Sequence, residues 1–118
     1  MHAVVCVDTV DAGAGAAAVE SSVWREQPRL VVNRGPRTCV AGWNEAARLT
    51  TGDVIIAVSD DFETPGAWDE GLAATGPAGW WAGDHVVAAH DDDVDDIFTL
   101  TILTRRRWER FGDVFHPA

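Results

Sequence analysis

Short apolar runs alternate with segments of helical period along this chain. Residues 3–7 (AVVCV) form a continuous apolar run, the signature of a strand covered on both faces. Further runs fall at 29–33 (RLVVN), 53–58 (DVIIAV), 86–89 and 97–103, and the third is bounded by Gly52 and by Ser59-Asp60-Asp61. Between them, residues 38–50 place Val40, Trp43, Ala47 and Thr50 on one helical face, with Gly52 just past the end. Residues 65–74 read as a short helix with Thr64 as N-cap and Pro65 in first position, and 105–111 as another stopped by Gly112. Residues 75–79 are a turn, and the small-residue stretch 12–18 reads as a flexible loop. This alternation predicts a single α/β domain: a three-layer α/β/α sandwich around a mostly parallel sheet.

A chain of 118 residues can bury roughly two-thirds of its unfolded surface, so a real core is expected. The 47% hydrophobic content excludes a disordered acidic tail. No apolar run is long enough to span a bilayer, and Met1 is not expected to open a signal peptide. The formal charge of −10 changes the picture most: all nine basic residues are arginine against 19 acidic ones. That balance argues against binding a phosphate backbone, so no nucleic-acid partner is expected. A phosphorylated ligand would need a cation between it and so acidic a protein. Cys6 and Cys39 both lie in apolar segments and read as buried thiols in a reducing compartment, which implies a cytoplasmic location. With no CxxC and no Cys/His pair at ligand spacing, zinc is not expected.

In open α/β sheets, ligands sit beyond the carboxyl ends of the strands. Two strands here run into carboxylates: the first into Asp8, the third into Ser59-Asp60-Asp61. Parallel neighbours would carry both to one edge. Adjacent carboxylates beside an oxygen ligand suit a hard divalent ion such as Mg²⁺ or Mn²⁺. The plainer alternative is that Asp60 and Asp61 cap the following turn.

The stretch from Asn44 through Gly52-Asp53 to Ser59-Asp60-Asp61 resembles the inverting family 2 glycosyltransferases of GT-A fold. In that family a helix bearing Asn ends in Ala-x-Gly-Asp/Glu, and the strand that follows delivers an acidic DxD motif. Asn33-x-Gly35 is similar to the family's Asn-x-Gly, with a longer gap to Asn44. Asp8 stands where the family contacts the nucleotide base, and residues 104–115 are similar to the segment where a helix closes on the sheet. The resemblance implies nucleotide-sugar binding by Asp8, Asn44 and Asp60, and a divalent cation, Mn²⁺ or Mg²⁺, on Asp61 with Asp60. The implied reaction is transfer of a sugar from a metal-bound nucleotide-diphosphate donor to an acceptor hydroxyl, with inversion. The chain departs from the pattern in three ways. Ser59 replaces the first DxD carboxylate. The family's first strand and helix have no counterpart before residue 3. The family's catalytic base, found beyond the helix ending near Gly112, has none after it, so both ends look clipped and no catalytic residue is assigned. The alternative is a non-catalytic remnant or interaction module. A clipped sheet would expose an edge on which a second copy could pair.

Other patterns compete. Gly13-Ala14-Gly15-Ala16-Ala17-Ala18 matches GxGxxA, but residues 8–12 separate it from the strand, and the next strand ends in Asn33 where a dinucleotide fold wants an acid. Residues 91–96 carry five carboxylates in six positions, yet Asp96 stands where a calcium loop needs glycine and Ile102 where it needs glutamate. That run reads as a solvated loop, with Arg105, Arg106 and Arg107 either paired to it or facing phosphates. His85, His90 and His116 read as surface or turn residues. Of the six tryptophans, Trp80 and Trp81 could stack on a sugar or fill the core, whereas Trp43, Trp68 and Trp108 read as packing residues.

Overall fold

The computed structural model describes residues 3–20, 27–58, 66–89 and 100–116. Two units emerge, Met1–Gly52 with Phe111–Ala118, and Asp53–Arg110. The elements are β1 (Val4–Asp8), α1 (Ala12–Glu20), β2 (Arg29–Asn33), α2 (Cys39–Ala47), β3 (Val54–Ala57), α3 (Trp68–Ala73), β4 (Val86–Ala89), β5 (Leu100–Thr104) and α4 (Arg105–Phe111). The class is mixed α/β.

In the first unit β1 and β2 pair in parallel, from Val4 opposite Arg29 to Asp8 opposite Asn33. The connection carries α1, where a flexible loop was expected. The alanines that make the stretch look featureless are the strongest helix formers, and they outweigh its two glycines. Gly13 is therefore the second residue of a helix, separated from β1 by the 3-10 turn Thr9–Asp11, and not the tight phosphate turn of a dinucleotide fold. Gly15 has a packing reason instead: a Cβ there would lie 2.7 Å from Val7 Cγ1 and 3.2 Å from Leu30 Cδ1. A Cβ at Gly13 meets nothing within 4 Å. Gly15→Ala is expected to destabilise by about 1–2 kcal/mol, and Gly13→Ala to stabilise by about 0.5–1 kcal/mol. Urea midpoints of the two variants measured side by side check the opposite signs.

Helix α2 starts at Thr38, whose hydroxyl accepts from the Ala41 amide at 3.1 Å as an N-cap. It ends at Ala47, short of residue 50, where the backbone tightens to bonds from Leu49 to Ala46 and from Thr50 to Ala47, and Thr50 Oγ1 also donates to the Ala47 carbonyl at 2.8 Å. Asn44 and Ala47 are its buried positions. Cys39, its first residue, is exposed and Cys6 half-buried, which corrects the expectation of two buried thiols: a first-turn position faces outward here although its neighbours are apolar.

In the second unit the sheet order is β3-β5-β4, antiparallel throughout, with Val54 opposite Thr104 and Val86 opposite Leu103. Among the described residues the expected parallel pairing thus holds for β1 and β2 alone, and β3 pairs with β5, not β1. Only residues 90–99 join β4 to β5, fewer than the dozen or so a parallel crossover needs. Ile55, Trp80, Ile102 and Leu103 are the buried apolar core. Helix α3 begins after Ala67, held at φ 56, and the expected cap Thr64 and Pro65 lie outside the described residues. Helix α4 runs as expected to Gly112, whose φ of 80 ends it.

Candidate functional site

The parallel register sets two polar side chains abreast at the carboxyl ends of β1 and β2. Asn33 is buried, and its Nδ2 donates to Asp8 Oδ1 at 3.2 Å and to the Pro36 carbonyl at 2.8 Å. Its Oδ1 accepts from the Gly35 amide at 3.0 Å, closing an Asx turn. The other Asp8 oxygen accepts from Arg37 Nε at 3.3 Å. Arg37 is 67% exposed, so this ion pair contributes about 1 kcal/mol or less and serves orientation. Each Asp8 oxygen thus has one internal partner and keeps lone-pair capacity for another donor.

Asn33, but not Asp8, also lines a half-open cleft of about 490 Å³, walled by the end of β2 and the turn after it (residues 32–36), by Asn44 and Glu45 of α2 and its C-cap Arg48, and by Asp113. Asn44 is 5% exposed. Its Oδ1 accepts from the amides of Val114 (2.8 Å) and Phe115 (3.1 Å), and its Nδ2 donates to the Phe115 carbonyl at 2.8 Å. One Nδ2 hydrogen is left over by that count. Arg48 bridges Glu45 at 2.9 Å and Asp113 at 3.3 Å. The Cys6 thiol is pushed above its ordinary range, first by burial and then by the negative charges of Glu45 and Asp8, so it is held as the neutral thiol.

The second unit has its own polar cluster. Asp84 receives Arg107 at 3.2 Å and Arg110 at 2.9 Å, and these hydrogen bonds, Arg110 first, hold its carboxyl below the usual range. The contribution is present at neutral pH and lost as pH falls through that lowered value. Arg105 stacks over Trp108, with its guanidinium carbon 5.0 Å from the ring centroid. Trp80, Trp81 and His85 form an edge-on aromatic group, with Trp80 buried as a core residue. Thr104 is wholly buried and joins the turn at Gly83 and His85 to the first turn of α4.

Of the residues singled out from sequence, Asp8 and Asn44 both fall in the first unit, one bonded to Asn33 and Arg37, the other to residues 114 and 115. Asp60, Asp61 and Ser59 lie outside the described residues, as does the acidic run 91–96. Among the described residues no three metal-binding side chains cluster, and no helix is long and apolar enough to cross a membrane. Sequence reasoning missed Asn33 as the partner of Asp8 and Asp84 as the partner of Arg107. The signal for the first was available: two parallel strands ending together in polar residues. Comparison with family models, with curated proteins and with solved structures returned no match.

Proposed function

We propose that the chain is a glycosyltransferase-like domain, built on a three-layer GT-A-like plan, that takes a nucleotide-diphosphate sugar. The observation that carries this reading is the Asp8 carboxylate at the carboxyl end of a parallel strand pair. Asn33 and Arg37 orient it, and Asn33 itself lines the cleft. Asp8, with lone pairs to spare, accepts from the base of the nucleotide. Asn44 offers its remaining Nδ2 hydrogen and holds the cleft wall. Asp60 and Asp61, following β3 in sequence behind a serine hydroxyl, are a donor set suited to a hard divalent cation. When bound, Mn²⁺ or Mg²⁺ supplies Lewis-acid stabilisation of the charge that builds on the leaving diphosphate. The acceptor hydroxyl, its proton taken by a carboxylate that is not assigned, attacks the anomeric carbon from the opposite face as the bond to the diphosphate oxygen breaks, with inversion.

One observation favours a second reading, a non-catalytic module of the same plan: Asn44 and Arg48 already bond within the chain. Calorimetric titration of UDP and GDP, with and without Mn²⁺, separates the two. The donor reading expects binding that needs the metal and that Asp61→Ala abolishes. Binding indifferent to metal, or none, leaves the non-catalytic module.

A further inference from the structure

Helix α4 ends where Gly112 takes a left-handed φ of 80, and the chain that leaves it meets α2 in a fixed order. The Asp113 carboxylate reaches Arg48 at 3.3 Å, and the amides of Val114 and Phe115 reach Asn44 Oδ1. The Phe115 carbonyl accepts from Asn44 Nδ2, and the Phe115 ring lies on Trp43 with centroids 4.9 Å apart. A single side-chain amide therefore pairs with both the N–H and the C=O of Phe115, as a neighbouring strand would. The two kinds of attachment differ in strength. Asn44 is buried and its three hydrogen bonds are part-buried, whereas Arg48 is 52% exposed and its ion pair is open to salt screening. Asp113 is also part of the cleft wall, so the attachment of this segment and the shape of the cleft are one event.

We propose that residues 113–116 form a hinged strap latched by Asn44: docked, it completes the wall of the cleft, and released, it opens the cleft while β1, β2 and α2 stay folded. Gly112 is the hinge. A ligand that contacts the completed wall binds the docked state better and holds the strap down, because a ligand shifts such an equilibrium only through its differential affinity. The statement about ligand rests on the donor reading above. The latch does not.

Residue-resolved amide hydrogen exchange on the whole chain tests both. In the wild type the Val114 and Phe115 amides are expected to be protected. Asn44→Ala speeds their exchange on the order of 100-fold, as loss of three hydrogen bonds dictates, with the amides of β1 and β2 unchanged. Asn44→Asp keeps the acceptor but not the donor and gives an intermediate rise, about tenfold. Asp113→Asn costs less than about fivefold, because its pair is exposed. Wild-type amides that exchange as fast as those of Asn44→Ala would overturn the latch. So would an Asn44→Ala chain that loses β1 and β2 protection to the same degree, since Asn44 is then part of the fold and no local device. Full release by Asp113→Asn would also overturn it by moving the hold to the ion pair. UDP with Mn²⁺ is the ligand probe, and it should slow both amides in the wild type. UDP that binds by calorimetry without slowing them overturns the coupling of strap to cleft. UDP that does not bind counts against the donor reading alone, and the latch is then decided by the exchange comparison of the four chains.

Discussion

Replacing Thr104 by valine is expected to remove about 3 kcal/mol from the stability of the Asp53–Arg110 unit, although the two side chains have nearly the same shape. The hydroxyl donates to the Gly83 carbonyl at 2.7 Å, accepts from the His85 amide at 3.0 Å and accepts from the Arg107 amide at 3.4 Å. The last of these is the N-cap of α4, worth about 1 kcal/mol. The other two leave a carbonyl and an amide facing a methyl group at a residue with no exposure, and each such orphan costs about 1–3 kcal/mol. Thr104→Ser keeps the hydroxyl and should retain most of the stability. Urea unfolding of the two variants, followed through the amides of β4 and β5, makes the comparison. A valine variant within about 0.5 kcal/mol of the wild type would remove the hydroxyl from this role.

Asn33→Asp is the second change with a large expected effect, and its sign depends on pH. The substitution swaps the Nδ2 donor for an oxygen that faces Asp8 Oδ1 at 3.2 Å and the Pro36 carbonyl at 2.8 Å, so two hydrogen bonds become two repulsions. Two carboxylates at that distance cannot both ionise cheaply, and the pair's folded-state pKa rises above the unfolded value of about 3.9. A raised folded pKa gives stability that is fully present below the unfolded pKa and lost as pH rises through the folded one. The variant should therefore lie nearest the wild type below about pH 4 and fall behind by about 3 kcal/mol at pH 7. Arg37 cannot neutralise the pair, because it is largely in solvent. Denaturation midpoints taken from pH 4 to 8, each against the wild type at the same pH, give the test. A constant difference would mean that Asn33 acts by shape and not by the proton it offers Asp8.

Several elements were legible because local chemistry alone specifies them. The runs at 29–33 and 86–89 are strands with the bounds read from sequence, and α4 stops at Gly112 because only a residue tolerant of positive φ suits that exit. The direction of pairing was less legible. Whether β3 lies beside β1 or β5 depends on connection lengths and on which faces need cover, and an apolar run of four to six residues does not encode that. Residues 12–18 misled for a different reason: a helix made of Ala and Gly has little amphipathic contrast, so its burial shows only in Gly15 pressed against Val7. At the candidate site, Asp8 was found from its position at a strand end, yet its partner Asn33 was read only as half of a motif. Asn44 was assigned from resemblance to ligand, and its observed bonds run to residues 70 and 71 positions away. No periodicity carries information over such a separation.

That separation has a bearing on how the protein is made. Synthesis runs from the amino end, so the ribosome releases Asn44 long before Val114 and Phe115 exist to meet it. The unit Met1–Gly52 is completed by Phe111–Ala118, and the whole of Asp53–Arg110 is translated in the interval. A nascent chain carrying the first half must hold an unsatisfied carboxamide on α2 until residues 114 and 115 have been translated. Late closure of this kind makes residues 113–115 a checkpoint for the unit that begins the chain, which waits on them for its last hydrogen bonds.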